Sequence, residues 1–294
     1  MTEANDKGYV AEEVRGGLYS VSDGFFNTMF LVHDEGVVAV DAPLTLGENY
    51  PRAIEEVTDK PVTHVVYSHS HADHIGAANL FPEGATYVAQ EETTKILRER
   101  EDPRRPVPDV TFGDAHTLEV GGQTLELSYR GNNHQVGNIF IYAPAQRTLM
   151  LVDVVFPGWV PYKNLGVAQD VPGYIKAHDQ ALSYDFDTLV AGHVNRLGTR
   201  QDVETSKEYV TDLMAAAGAA FAATDLQDVA GRVGMDNPWE LFDTYQDEVV
   251  QKCAEQMRSK WRGRLEGGDV YLDDHCWTMV ESLNIDFAPP PGNG

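Results

Sequence analysis

The segment that most restricts the fold of this chain is an apolar run, Val62 to Ser68, that leads directly into the sequence HSHADH at residues 69–74. The run predicts a buried β-strand, and α/β folds tend to place their sites where such strands end. Residues two apart in an extended backbone face the same side, so the first two histidines can address one metal ion. Asp73 and His74 open the next predicted helix and can address a second ion. Four metal-capable side chains within six residues predict a metal site rather than a solvated loop.

Strand and helix patterns alternate along the first 200 residues. Period-two or continuous apolar stretches predict strands, and longer amphipathic stretches predict helices. The predicted strands cover 17–21, 28–32, 36–41, 62–68, 85–89, 116–120, 123–129, 138–142, 148–153 and 188–191. The predicted helices cover 49–57, 73–80, 91–100 and 174–183. Gly121-Gly122 predicts a hairpin turn between two of the strands.

Long helices dominate the pattern beyond residue 200. One is predicted over 204–223, and another opens at Pro238 with Asn237 as its cap. The second helix carries an apolar stripe: Leu241, Tyr245, Val249, Cys253, Met257 and Trp261. Such a stripe is most often core, and a lid or a homodimer contact are the alternatives. We expect a catalytic domain over 1–200, a helical extension over 201–288 packed on the same domain, and a disordered tail over 289–294.

Charge and composition exclude several classes of partner. The formal net charge is −24, which repels nucleic acid and anionic membrane surfaces. There is no apolar run of about 18 residues to span a membrane. The polar, acidic start lacks the pattern of a secretory signal, which favours a cytoplasmic protein. Cys253 and Cys276 are expected to be unpaired.

The HSHADH segment resembles the HxHxDH signature of the metallo-β-lactamase superfamily. Four further segments are similar to that family's motifs in the same order. They are the apolar strand that ends at Asp41, the segment Gly131 to Asn138 around His134, the strand Leu149 to Asp153, and Val190 to His193. The resemblance covers roughly residues 10–200 and rests on five ordered motifs.

The resemblance implies a fold, a ligand set and a chemistry. The implied fold is an α/β (α+β) four-layer αββα sandwich with the site at one edge of two sheets. The implied first-metal ligands are His69, His71 and His134, the second-metal ligands are Asp73, His74 and His193, and Asp153 bridges. Imidazoles with carboxylates suit two divalent ions, Zn²⁺ first and Fe or Mn as alternatives. Asp41 is the family's buried aspartate that would hold a ligand histidine from behind.

Two substitutions and one absence bear on the branch of the family. Gln135 stands where a serine is common after the histidine, and Val152 stands where a glycine often precedes the aspartate. Neither change removes a ligand. No cysteine lies near Asp153 or His193, which argues against the lactamases that use a cysteine ligand. The set is closer to the glyoxalase-like and lactonase-like branches.

Two loops near the predicted site are candidates for substrate contact. Trp159, Tyr162 and Asn164 follow the strand that ends at Asp153, and loops that leave a strand at a site often contact substrate. Phe25 and Phe26 form an aromatic pair at a turn of an N-terminal hairpin, which in the family can cover the site. Phe26 is therefore a further candidate, with simple burial as the alternative.

The sequence therefore predicts a dinuclear metallo-hydrolase. Its small-molecule substrate is expected to be an ester, thioester, lactone or amide, β-lactams included. A hydroxide bridging two metal ions would attack the scissile carbonyl, and Asp73 would orient it and later pass a proton to the leaving group. The alternatives are a mononuclear iron dioxygenase resembling the persulfide dioxygenases, and a non-catalytic metal-binding protein. A nuclease is disfavoured by the charge and by the short distance from Asp153 to His193.

Overall fold

The computed structural model describes residues 6–287, and its strands form two sheets packed face to face. The first sheet has the order β1 (Val10–Arg15), β2 (Leu18–Ser22), β3 (Asn27–His33), β4 (Gly36–Val40), β5 (Val62–Val66), β6 (Thr86–Gln90) and β7 (Val110–Phe112). Strands β1 to β4 pair antiparallel, and β4 to β7 run parallel. Because β4 and β5 are parallel, their carboxyl ends meet at one edge of the sheet.

The second sheet follows the same plan in a shorter form. Its strands are β8 (Ala115–Val120), β9 (Gln123–Ser128), β10 (Phe140–Ala143), β11 (Thr148–Met150), β12 (Thr188–Val190) and β13 (Gly198–Thr199), in the spatial order β13-β12-β11-β10-β9-β8. The hairpin of β8 and β9 turns at Gly121-Gly122, both at positive φ, as predicted. Strands β11 and β12 are parallel and also end at one edge.

Helices cover the outer faces of both sheets. They are α1 (Asn49–Val57), α2 (Ala72–Ile75), a 3₁₀ turn (Ala78–Leu80), α3 (Glu91–Arg100), α4 (Lys163–Val167), α5 (Val171–Leu182), α6 (Arg200–Ala222), α7 (Leu226–Val233), α8 (Pro238–Trp261) and α9 (Leu272–Ile285). Asn237 caps α8 by accepting a hydrogen bond from the Glu240 amide, as predicted.

Three apolar clusters separate the four layers. Between the sheets, side chains such as Met29 and Val38 pack with Ile141 and Met150. Helices α1 and α3 cover the first sheet, and α5, α6, α8 and α9 cover the second. The fold is therefore the αββα sandwich that the resemblance implied.

The C-terminal helices share the core of the second sheet. The stripe on α8 is buried at Leu241, Val249, Cys253, Met257 and Trp261, so it is core rather than an outward seam. Cys253 and Cys276 form a disulfide between α8 and α9, with their Cα atoms 5.9 Å apart. The prediction of two unpaired cysteines is wrong, because α9 was not predicted and its packing against α8 brings the two thiols together.

Several element boundaries also differ from prediction. The helix predicted over 73–80 is two short pieces, α2 and the 3₁₀ turn. The strand predicted over 148–153 stops at Met150, because Asp153 takes a left-handed conformation with φ of 62°. The expected tail over 289–294 lies outside the described residues. Among the described residues, no helix combines the length and apolarity needed to cross a membrane.

Candidate metal centre and its cavity

The HSHADH segment is held against the carboxyl end of β4 by its backbone. Asp41 follows β4 with a φ of 54°, and its Oδ1 accepts a 2.7 Å hydrogen bond from the Ser68 amide. The amide of Ala42 donates to the carbonyl of His74 at 2.8 Å. Asp41 thus fixes the backbone immediately before His69, and its predicted role behind a ligand histidine stays a prediction. Burial raises the pKa of its carboxyl to about 7, against the opposing effects of His74 and Ser68.

The second sheet brings Asp153 and His193 to the same place. Asp153 follows β11, and His193 follows β12 after Gly192. A Cβ on Gly192 would lie 2.7 Å from the His74 ring and 3.1 Å from Asp153 Oδ1, so only glycine fits there. The Asn27 amide donates to the Gly192 carbonyl at 3.0 Å, which joins the β2–β3 hairpin to this edge.

The first ligand group contains His69, His71, His134 and Asp153. Asp153 Oδ2 lies 3.6 Å from His69 Nε2 and 3.2 Å from His134 Nε2. His71 Nδ1 lies 3.0 Å from His134 Nε2. One atom from each residue can therefore face a common point, and the predicted first-metal ligands are brought together.

The second ligand group contains Asp73, His74 and His193. Their facing atoms are His74 Nε2 and His193 Nε2, 3.2 Å apart, with Asp73 Oδ2 at 3.5 Å from the first and 3.9 Å from the second. Asp153 reaches this group too, since its Oδ1 is 3.1 Å from His193 Nε2 and its Oδ2 is 3.1 Å from His74 Nε2. Asp153 therefore lies between the two groups.

These spacings fit bound cations. Ligand atoms about 2.0 Å from one tetrahedral ion lie about 3.3 Å apart, which falls within the contacts above. Several buried polar atoms of the cluster have no hydrogen-bond partner, among them His69 Nε2 and Asp153 Oδ1. Buried polar atoms without a partner are costly, and a cation satisfies them. The donor set of imidazoles and carboxylates suits zinc and, less specifically, iron or manganese.

The pKa values of three histidines in the first ligand group favour the neutral ring, which is the form that binds a metal ion. Burial lowers the pKa of His69, His71 and His134, that of His71 to about 4, so their lone pairs are free at neutral pH. Burial would also lower the pKa of His74, but carboxylates, Asp153 foremost, outweigh it and raise that pKa to about 9. A cation at the second group must therefore displace a proton from His74.

Comparison with known proteins assigns the family. The sequence profile of the metallo-beta-lactamase superfamily matches residues 22–193, more than half of the chain. The chain belongs to this superfamily. The Pontibacter korlensis metallo-beta-lactamase structure has a TM-score of 0.61 at 22% identity, over 69% of this chain and 99% of that one. The IND-7 metallo-beta-lactamase gives 0.59 at 20% identity, over 69% of this chain and 98% of that one.

The relatives of this chain with assigned activities include demethylase subunits and a lactamase. The 2,4-dinitroanisole O-demethylase subunit alpha of Nocardioides sp. (strain JS1661) is 33% identical over 65% of this chain and 59% of its own length. The 2,4-dinitroanisole O-demethylase subunit beta of the same strain is 26% identical over 86% of this chain and 74% of its own length. The Bacillus cereus metallo-beta-lactamase type 2 is 26% identical over 42% of this chain and 48% of its own. The match thus spans about three-fifths of the alpha subunit and half of the lactamase.

A second set of side chains, which the sequence did not reveal, supports the motif from behind. Gln135 Oε1 accepts hydrogen bonds from the Ser70 amide at 3.2 Å and the Ser70 hydroxyl at 3.1 Å. The buried guanidinium of Arg105 donates to the Ser70 carbonyl at 2.8 Å and pairs with Asp102 at 3.0 Å. Gln135, noted only as a departure from the family, and Arg105, from a Pro/Arg-rich loop, together hold the residue between His69 and His71.

The ligand groups open into a cavity of about 650 Å³. Besides ligands, its lining includes Phe25, Phe156, Trp159, Tyr162 and Tyr271. Two predicted substrate contacts, Trp159 and Tyr162, therefore line the cavity. The other two predicted contacts, Phe26 and Asn164, are not among the described lining residues. Phe26 is buried with its ring 4.5 Å from that of His193, and Asn164 Oδ1 accepts a hydrogen bond from Thr278 at 3.5 Å. Phe25 takes the place at the cavity that was expected for Phe26.

Proposed function

We propose that this protein is a dinuclear metal-dependent hydrolase of a small ester, thioester, lactone or amide. The observation that carries the proposal is the position of Asp153, whose two carboxylate oxygens contact histidines of both ligand groups. The expected ions are two divalent cations, with Zn²⁺ first and Fe or Mn as alternatives. Held there, such ions lower the pKa of water to about 7 and polarise a carbonyl.

Each residue has a defined task in this proposal. His69, His71 and His134 hold one cation, His74 and His193 hold the other with Asp73, and Asp153 contacts both. Asp73 is also the carboxylate best placed to move a proton, because its side chain is 49% exposed and lines the cavity. It orients the attacking water and passes a proton to the leaving group.

The alternatives differ in metal number and in the bond that is cleaved. A mononuclear iron dioxygenase needs one ligand group, whereas this chain keeps both, which favours hydrolysis. A non-catalytic metal-binding protein leaves the cavity and the half-exposed Asp73 without a role. The similarity to the 2,4-dinitroanisole O-demethylase alpha subunit adds an aryl methyl ether to the bonds worth testing. Because both demethylase relatives are subunits, a partner chain or a homodimer is a further proposal.

Metal analysis with an activity panel tests this function. The purified protein should carry two divalent ions, lose activity to a chelator, and regain it with Zn²⁺. The panel should contain acetate esters, a lactone, a chromogenic cephalosporin and a glutathione thioester. One iron per chain with a visible absorbance band and oxygen consumption would replace the hydrolase proposal with the dioxygenase.

A further inference from the structure

We propose that the site selects substrates whose non-reacting part is a neutral, flat aromatic group. This inference rests on the proposed hydrolase function and names its substrate class. The binding element is an aromatic slot, defined as the side chains of Phe25, Phe156, Trp159, Tyr162 and Tyr271 that line the cavity. Three of these side chains, Phe25, Trp159 and Tyr162, are substantially exposed. Exposed aromatic side chains gathered at one cavity mark a ligand site.

The rings of the slot present faces and edges suited to another ring. Tyr162 and Tyr271 meet edge to face with centroids 5.2 Å apart. Next to the metal-ligand groups, the Phe156 ring lies nearly parallel to the His193 ring, and the centroid of the Phe25 ring is 5.6 Å from that of His193. An aromatic guest gains ring-to-ring contacts beyond apolar burial, which an alicyclic guest of equal size does not.

The described lining offers no lysine or arginine to a carboxylate on the substrate. Two basic side chains beside this region are already paired: Lys163, which follows Tyr162, pairs with Asp274 at 3.2 Å, and Arg196, close to Gly158, pairs with both oxygens of Asp202. The chain as a whole carries a net charge of −24. An anionic group held in the slot, away from the metal ions, would therefore be repelled by the negative charge of the protein and would lack a basic partner.

One wall of the slot is held in an unusual backbone conformation. In α4, Asn164, Leu165, Gly166 and Val167 all have positive φ, which makes this turn left-handed. That conformation is unfavourable for leucine, and a β-branched residue such as valine rarely adopts it. Strain of this kind persists only where surrounding contacts impose it, and it concentrates at functional sites.

Contacts from the C-terminal region fix the segment that immediately precedes this turn. The carbonyl of Tyr162 accepts a 3.1 Å hydrogen bond from His275 Nε2–H, and His275 Nδ1 accepts one from the Tyr209 hydroxyl at 2.7 Å. The Val160 amide donates to Glu266 and the Glu266 amide donates to Gly158, at 3.0 and 2.9 Å. The slot is therefore preformed rather than assembled around a ligand.

The test compares three acetates that share the reacting bond: benzyl, cyclohexylmethyl and 4-carboxybenzyl acetate. With metal-loaded enzyme, we expect kcat/KM for the benzyl ester to exceed the other two by about tenfold. Trp159→Ala and Tyr271→Ala should each bring the benzyl to cyclohexylmethyl ratio towards one. Trp239→Ala is the matched control, because Trp239 is 84% exposed at the start of α8, outside the lining, and should leave the ratio unchanged.

Calorimetric titration with 2-naphthalenemethanol separates this inference from the proposed function. Binding that is lost in Trp159→Ala but kept in Trp239→Ala supports the slot even if no acetate is cleaved, in which case only the hydrolase proposal fails. Hydrolysis with equal rates on the benzyl and cyclohexylmethyl esters, or preference for the carboxylate, overturns the slot and leaves the hydrolase standing. Ratios that both slot variants leave unchanged overturn it as well.

Discussion

The ligand cluster and the aromatic slot line one cavity, yet the chain builds them in different ways. The seven candidate ligands follow the carboxyl ends of strands or lie in the short segments beside them, and hydrogen bonds such as that from the Ser68 amide to Asp41 fix the backbone there. The slot combines a hairpin tip at Phe25, the strained segment 156–167 and Tyr271 beside α9. Chemistry is thus expected to depend on the two sheets, and substrate choice on the C-terminal helices.

The largest expected effect comes from removing a ligand. His71→Ala or Asp153→Ala should lower hydrolysis by about three orders of magnitude or more, because several kcal/mol of charge stabilisation in the transition state are lost. Circular dichroism should show that the fold survives. Substantial activity in either variant, or full activity of folded, metal-stripped protein, contradicts the role given to the cluster.

Removal of the disulfide should separate stability from metal binding. The double variant Cys253→Ser with Cys276→Ser opens a loop of 23 residues, and loop-closure entropy predicts a loss of about 3 kcal/mol in the free energy of unfolding. Denaturant titration measures this loss. Metal content should stay unchanged, since both cysteines lie in the helical layer and not in either ligand group. Loss of metal at temperatures where the variant is folded would show that the helical layer also supports the metal-ligand groups, which contradicts their separation.

The role of Arg105 can be tested with a matched neighbour. Arg105→Met removes the donor to the Ser70 carbonyl and should weaken metal affinity by about 10–100-fold, as for other residues that orient ligands. Arg104→Met is the control, because Arg104 pairs with the same Asp102 but is exposed and has no contact with the motif among its described hydrogen bonds. A competitive chelator titration measures the metal affinity. Equal metal affinities of the two variants would show that Arg105 does not support the metal site.

The ligand cluster could be predicted from sequence, and the slot largely could not. Metal-capable side chains are rare in such density, so HSHADH after an apolar strand predicts four members of the cluster, whereas His134, Asp153 and His193 were predicted through the family resemblance. Strands β4 and β5 and helix α3 followed from apolar periodicity. Tyr271 and α9 lacked a strong pattern, and their place beside Tyr162 depends on packing more than 100 residues away in sequence. Local propensity also opposes the left-handed turn at Leu165 and Val167, so only the folded surroundings specify it.

The smallest expected effect distinguishes two buried histidines. His275→Phe removes the hydrogen bond to the Tyr162 carbonyl and should lower the benzyl to cyclohexylmethyl ratio a few-fold, about 1 kcal/mol or less in selectivity. His178→Phe is the control, because His178 is equally buried but bonds to Tyr174 and Ser206. Both variants should lose stability, and only His275→Phe should change selectivity. An equal change in both would assign His275 to the core alone.

Metal stoichiometry tests the central claim most directly. The protein is stripped with a chelator and titrated with Zn²⁺, while bound metal and hydrolysis of one ester are measured on the same samples. We predict saturation at two ions per chain, and a fall to one ion in His193→Ala, because that change removes a ligand of the second group only. Saturation at one ion in the unmodified chain, or no divalent ion bound at neutral pH, would contradict the account.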